Sequence, residues 1–433
     1  MLRESKGLAV LITAFGLAVA GCGSAGRQPS AERRTENVAT TAAAQPEMTP
    51  PPSPPEDEKD VTGAFDFIYP DHAASAKDPV NIPLTGDPWK LVHLADYGVF
   101  DSLTHVVAPA EDDAWAFGRA GGSNASLLAL RWDGWQWVES ALPGGVKGSV
   151  VDAGSSAPDD VWLHVNTERA SSALHWDGVR WTVSKEFPFT VGQIEVLDGT
   201  HVWALPSRDA AVAWFFDGTG WREVPLPDGV LGLAIGATSP GTLWTVGTSG
   251  EGARRATGLF RSDGTGWTRV SFGEIFPADD EEGYLQLENL VTGGEDDVWV
   301  FGSRTERQEE SGEGERPRSL PVAAHWDGRS WRAVTVPPTW RLREAVPDGR
   351  GGAHVIVWPA DDDSGADIHT TSVLSLAADG SSSVSLPEVS GGRVSLNDLA
   401  ATPEKIWGVG AAYPSDVTLT ASTSAVYART IAP

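Results

Sequence analysis

The stretch HWDGVRW, residues 175–181, reads as the end of one strand, a two-residue turn and the start of the next. Asp-Gly favours such a reversal, because glycine accepts positive φ and aspartate tolerates it. Near copies stand at 131–137 (RWDGWQW), 215–221 (FFDGTGW), 261–267 (RSDGTGW) and 325–331 (HWDGRSW). In every copy the final tryptophan follows the aspartate by four residues. A weaker copy, ADGSSS at 378–383, keeps Asp379 and Gly380 but has Ser383 where tryptophan is expected.

A second signature alternates with the first. DDAWAFG (112–118) recurs as DDVWLHV (159–165), THVWALP (200–206), GTLWTVG (241–247), DDVWVFG (296–302) and EKIWGVG (404–410), with a degenerate copy, GAHVIVW, at 352–358. Successive tryptophans 115, 162, 203, 244 and 299 are 47, 41, 41 and 55 residues apart. Repeats of that length, each with four short strands, predict a β-propeller. Seven such strands predict seven blades. Each unit would run A, B (with its Trp), C (ending at Asp-Gly) and D (opening at the last Trp). Both faces of DDVWVFG are apolar, as a strand packed between two neighbouring sheets requires. A buried indole contributes roughly 4–6 kcal/mol by area, so tryptophan dominates the packing between blades.

The last repeat stops after a third strand, SAVYARTI (424–431), while DPWKLVHL (87–94) reads as a fourth strand without its first three. Pairing the two would close the ring and remove its open edges. The fold expected is therefore all-β, a seven-bladed propeller over residues 87–433 closed by its N-terminal strand.

The preceding residues are of another kind. MLRESKGLAVLITAFGLAVAGCGSAG has a basic start, a short apolar run and then VAGC, the organisation of a secretory signal. Val19, Ala20, Gly21 and Cys22 resemble the lipobox of bacterial lipoproteins, with valine in place of the commoner leucine. That resemblance implies a signal peptide over 1–21 and diacylglycerol on Cys22, the one cysteine of the chain. Residues 22–86, rich in Ala, Thr, Pro and Ser, hold too little apolar surface for a core and read as a disordered linker. GCGSAG (21–26) fits G-x-G-x-x-G literally, but it follows a signal and not a strand of a βαβ unit.

The repeats resemble the Asp-box and kelch units of other propellers. Here glycine follows aspartate directly, and the paired glycines of kelch are absent. Taken together they resemble the Trp- and WDG-rich propeller lipoproteins of high-GC bacteria. That resemblance implies an extracytoplasmic, membrane-anchored protein and carries no functional residue except Cys22.

With Lys+Arg 32 against Asp+Glu 59 and a net charge of −27, nucleic acid is excluded as a partner. No G-x-S-x-G elbow or His/Cys cluster suggests hydrolase or metal chemistry, and no cofactor or metal is expected. His175 and His325 precede homologous turns of different blades and read as strand residues on an outer face. DDDSGAD (361–367) departs from a calcium loop, and the acidic runs at 278–283 and 306–316 read as solvated loops. The expected B–C loops vary in length yet carry Arg119, Arg169, Arg208, Arg254 and Arg304 on one face. These are the candidate binding residues, a cationic face for an anionic polymer or an acidic protein patch. The expected function is a monomeric, non-catalytic envelope lipoprotein presenting a binding scaffold to a protein or polysaccharide. The alternative is an extracytoplasmic glycosidase or lyase with its site on the same B–C loop face.

Overall fold

The computed structural model describes residues 80–81, 89–95, 102–120, 126–207, 211–250, 256–272, 275–276, 283–306, 318–360, 370–387, 392–414 and 423–431. The signal, Cys22, nearly all of the linker, Arg208, Arg254, the 361–367 loop and most of the two acidic runs lie outside them.

Seven antiparallel sheets form, six of four strands and one of five. In the first blade Leu103–Ala110, Asp113–Ala120, Ser126–Trp132 and Trp137–Glu139 are strands A to D, neighbours in that order. The A strands that follow are Ser149–Ala157, Val191–Asp198, Val230–Ser239, Gly283–Gly294, Trp340–Pro347 and Gly392–Ala401. Each touches the A strand of the next blade, and the seventh touches the first, so they line a closed central channel. Because strands alternate in direction, A–B and C–D connections share one face and B–C and D–A connections share the other.

The ring closes as the sequence predicts. Lys90–Ala95 pairs antiparallel with Thr423–Thr430, Lys90 opposite Ala428, and completes blade 7. Outside it lies a fifth strand, Val80–Asn81, paired with Leu94 and His93.

Tryptophan packing explains why the repeat persists. Trp115, Trp162, Trp299 and Trp407 are fully buried, and Trp203 and Trp244 nearly so. The indole opening each D strand leans back on the previous blade. Trp181 meets Trp115 with centroids 5.2 Å apart, Trp221 meets Trp162 at 5.8 Å, Trp331 meets Trp244 at 5.8 Å and Trp137 meets Trp407 at 5.4 Å. These contacts are edge-on, the arrangement that the ring quadrupole favours. In blade 6, the degenerate repeat, His354 holds the position of the indole, opposite Val346 and Ser375. Its Nδ1 lies 2.9 Å from Ser375 Oγ, and burial lowers its pKa to about 4. Trp89 still reaches this blade, packing with Ile356 and Val373 and donating Nε1–H to Ser385 Oγ at 2.9 Å.

The turn itself is wider than its dipeptide predicts. Trp176 pairs with Trp181, so four residues, 177–180, make the reversal. Asp177 Oδ1 accepts the N–H groups of Val179 and Arg180 at 3.0 and 2.9 Å, while Gly178 takes φ +87°. Asp133, Asp217 and Asp327 repeat this cap. The aspartate is thus required for its carboxylate, which fixes the wider loop.

Candidate functional site

Every A strand slips register by one residue near its start, for example between Val150 and Asp152 and between Leu396 and Asp398. Such a bulge re-aims the next side chain. The residue ten before the B-strand indole, or before His354 in blade 6, is His105, Asp152, Gln193, Ala234, Asn289 or Glu344; in blade 7 Asp398 stands nine before Trp407. Six of the seven are polar, and five of those six reach backbone groups.

The bonds form a belt between blades. Asp152 Oδ2 accepts the N–H of Ile194 on blade 3 at 2.8 Å, and its Oδ1 accepts Ala153 N–H at 2.8 Å. Gln193 Oε1 accepts Ile235 N–H from blade 4 at 2.8 Å, and its amide donates to Ile235 O at 3.1 Å. Asn289 donates to Arg343 O on blade 6 at 3.3 Å. Asp398 Oδ2 accepts Val106 N–H from blade 1 at 2.9 Å, and Oδ1 accepts Leu399 N–H at 2.8 Å. Deeper in the channel Glu195 Oε1 accepts Ala237 N–H at 3.0 Å and the Thr292 hydroxyl at 2.9 Å.

The electrostatics of this belt are unusual. Burial pushes Asp152 up to about 8, aided by the charges of Glu344 and Glu195 and opposed by its N–H donors. Burial likewise pushes Glu195 up to about 7. Asp398 lies well above the usual carboxylate range through burial and the charges of Glu344 and Asp152. Glu344 is raised by burial against the pull of Arg343, although its side chain remains open to the channel. His105 is lowered to about 4 by burial.

Converging carboxylates with raised pKa values are what an acid–base catalyst needs. Here, however, both oxygens of Asp152 and of Asp398 already accept backbone N–H groups. Their geometry fastens one blade to the next, and removing an acceptor would leave a donor unmet. A cavity beside the belt, between blades 5 and 6, is lined by Glu288, Asn289, Trp340, Arg341 and Arg343 among others and holds about 40 Å³. That volume suits a water and is far below a small-molecule site. Among the described residues no group of three or more His, Cys, Asp or Glu could hold a metal ion.

The two histidines are structural, and they are not on an outer face. His175 Nε2 lies 2.9 Å from Asp160 Oδ1, which also accepts Trp162 Nε1–H at 2.9 Å, and the imidazole stacks on that indole at 4.4 Å. His325, Asp297 and Trp299 repeat the arrangement, with His325 only 3% exposed. Burial would raise Asp160, but the bonds from His175, Ser156 and Trp162 win and hold it below its ordinary value. In blade 1 an arginine replaces the imidazole: Arg131 binds Asp113 through two nitrogens and lies 5.2 Å over Trp115.

Of the five candidate arginines, three are described. Arg119 and Arg304 stand near the ends of the B strands Asp113–Ala120 and Asp297–Glu306, and Arg169 is exposed in the turn after Asp160–Asn166. All three fall on the B–C face. Arg119 Nη1 reaches Ser149 Oγ on the neighbouring blade at 3.4 Å. They belong to blades 1, 2 and 5, so no single pocket gathers them.

No family model and no curated protein matches this sequence. Solved structures resemble it as propellers. The β-propeller domain of the Trilobed protease from Pyrococcus furiosus is 8% identical, covering 77% of this chain and 98% of its own, with a TM-score of 0.48. YCF48 from Cyanidioschyzon merolae is 11% identical over 79% and 98%, TM-score 0.45. A GH74 xyloglucanase from Xanthomonas campestris is 15% identical over 74% and 53%, TM-score 0.46. Such values leave the functional reading to the residues of this chain.

Proposed function

We propose that this chain is a cell-envelope lipoprotein, anchored through Cys22, whose propeller is a non-catalytic scaffold that binds a protein or polysaccharide of the envelope through its B–C face. The observation that carries this reading is the occupancy of the channel carboxylates: each oxygen of Asp152 and of Asp398 already accepts a backbone N–H that ties one strand or blade to the next. Irregular loops on a rigid repeat are where such scaffolds carry recognition. The raised pKa values of Asp152 and Glu195 favour the second reading, an extracytoplasmic glycosidase or lyase.

One experiment separates them. The full-length protein is incubated with isolated peptidoglycan and with anionic wall polysaccharide, and both retention and newly formed reducing or unsaturated ends are measured. Retention without product supports the scaffold. Product that disappears in Asp152→Asn overturns it. The anchor is tested in parallel: Cys22→Ala is expected to leave the membrane fraction, and unchanged retention refutes lipidation.

A further inference from the structure

The cavity between blades 5 and 6 opens beside an A strand unlike the other six. That strand begins Trp340, Arg341, Leu342, Arg343, Glu344, and Trp340 is the one tryptophan in any of the seven A strands. Blade 6 is also the blade in which His354 replaces the repeated indole. Trp340 packs only in part, beside Leu342 on the core shared by blades 5 and 6, and some of its surface stays open. It takes no part in the edge-on indole pairs that join the blades, and it lines the cavity instead.

Two guanidinium groups, a carboxylate and an amide share that lining. Arg341 Nη1 donates to Ser319 O on blade 5 at 3.2 Å, and Arg343 Nη1 donates to Leu396 O on blade 7 at 3.5 Å. One of the five donors on each fork is spent in this way, which positions the side chain and leaves the rest for a ligand. Asn289 is fully engaged: it donates to Arg343 O and to Glu344, and its Oδ1 accepts Leu290 N–H. It therefore sets the wall and contributes no contact of its own. Glu288, which the A-strand bulge of blade 5 leaves unpaired between Leu287 and Asn289, is exposed. The cavity's volume of about 40 Å³ admits one hydroxyl-sized group, so a ligand lies across its mouth on the B–C side and puts a single substituent into it.

Each lining group selects one feature of an occupant. An indole offers a flat apolar surface to a C–H face. A pair of planar forks meets a carboxylate through paired N–H groups. An exposed carboxylate accepts hydroxyls. A sugar ring bearing a carboxylate presents all three features together. A phosphodiester has charge but no flat C–H face, and a neutral hexose leaves the forks unmet. We infer that the notch between blades 5 and 6 binds a hexuronate residue of an acidic polysaccharide, with its ring on Trp340, its carboxylate on Arg341 and Arg343, and a hydroxyl on Glu288. This site rests on the scaffold reading and names the sugar that the B–C face takes; its residues are distinct from Arg119, Arg169 and Arg304.

The test titrates the full-length protein with trigalacturonate and with maltotriose, a neutral sugar of the same length. The acidic sugar is expected to bind about tenfold more tightly. Arg343→Gln is expected to weaken trigalacturonate about tenfold and to leave maltotriose where it was, so the preference is lost. Trp340→Leu, which keeps an apolar side chain on the core of blades 5 and 6, is expected to weaken both sugars about fivefold. Arg180→Gln, on the opposite face, is expected to change neither. Equal affinity for the two sugars overturns the inference, as does wild-type affinity in Arg343→Gln. Should Trp340→Leu lower the melting midpoint, the exposed Arg343 and Glu288 decide, with Glu288→Gln expected to weaken both sugars. Retention on wall polysaccharide without binding of trigalacturonate overturns this site and leaves the scaffold reading standing. Trigalacturonate binding that depends on Arg343, with no retention on wall material, supports the site and overturns the scaffold reading.

Discussion

At the scale of single residues, the channel belt sets a pH dependence whose sign can be worked out. Asp152 and Glu195 titrate near 8 and 7 in the folded chain, against ordinary values of 3.8 and 4.5. The folded state therefore holds protons that the unfolded state has released, and stability falls as pH rises from about 4 through about 8. Buried histidines act in the other direction. His105, His164 and His354 are lowered from 6.5 to about 4, 3 and 4, so they cost stability only as pH falls below 6.5. Between pH 6.5 and 8.5 the carboxylates act almost alone. The melting temperature is expected to drop over that interval, and Asp152→Asn is expected to reduce the drop. Its amide oxygen still accepts the Ile194 N–H, but the side chain no longer ionises. A melting temperature that is flat, or that rises over the interval, would show that the belt carboxylates are ionised throughout.

At the scale of elements, the strand that closes the ring is the one whose loss should cost most. Lys90–Ala95 covers the edge of Thr423–Thr430, and Trp89 fills the seam to blade 6, only 6% exposed. Deleting 80–95 removes that ladder and uncovers Ile356 and Val373. The truncated chain is expected to melt well below the intact one and to aggregate through the open edge. An unchanged midpoint in calorimetry would mean that closure contributes nothing. The B and D strands, the blade count and this closure were all legible, because tryptophan and Asp-Gly mark them at regular spacing. The inward-facing polar side chains of the A strands were not. Asp152, Gln193, Asn289 and Asp398 sit in dissimilar segments (VVDAG, VGQIE, LENLV, LNDLA) with no common motif. What they share is distance, ten residues before the B-strand indole in three cases and nine in the last, and that regularity gains meaning only once the bulge turns them inward. The four-residue turn was missed for a related reason. Asp-Gly alone suggests a two-residue reversal, and only the carboxylate bonds to the second and third following N–H groups show the larger loop.

At the scale of the molecule, the two faces of the disc differ in chemistry. Short, near-identical turns with capped aspartates make one face, and irregular loops with Arg119, Arg169 and Arg304 make the other. Exposed arginine is common and needs no shared purpose. Yet in a chain of net charge −27, Arg119, Arg169 and Arg304 set cations on the B–C side of three blades. An anionic polymer lying across the disc could meet them without a pocket, which matches the absence of convergence in blades 1, 2 and 5. Replacing Arg119, Arg169 and Arg304 together by glutamate is therefore expected to abolish retention on anionic wall polysaccharide and to leave the melting midpoint nearly unchanged. Arg119 is the member to watch, because its Nη1 also reaches Ser149, so Arg169→Glu with Arg304→Glu provides a version that keeps this bond. Raising the salt should weaken the wild type and leave the triple variant where it was, since exposed charges lose reach as the Debye length shortens. Reversing Arg180 and Arg329, on the turn face, provides the comparison. Equal loss from that pair means a response to net charge alone, and no loss from the triple variant means that the B–C arginines bind nothing.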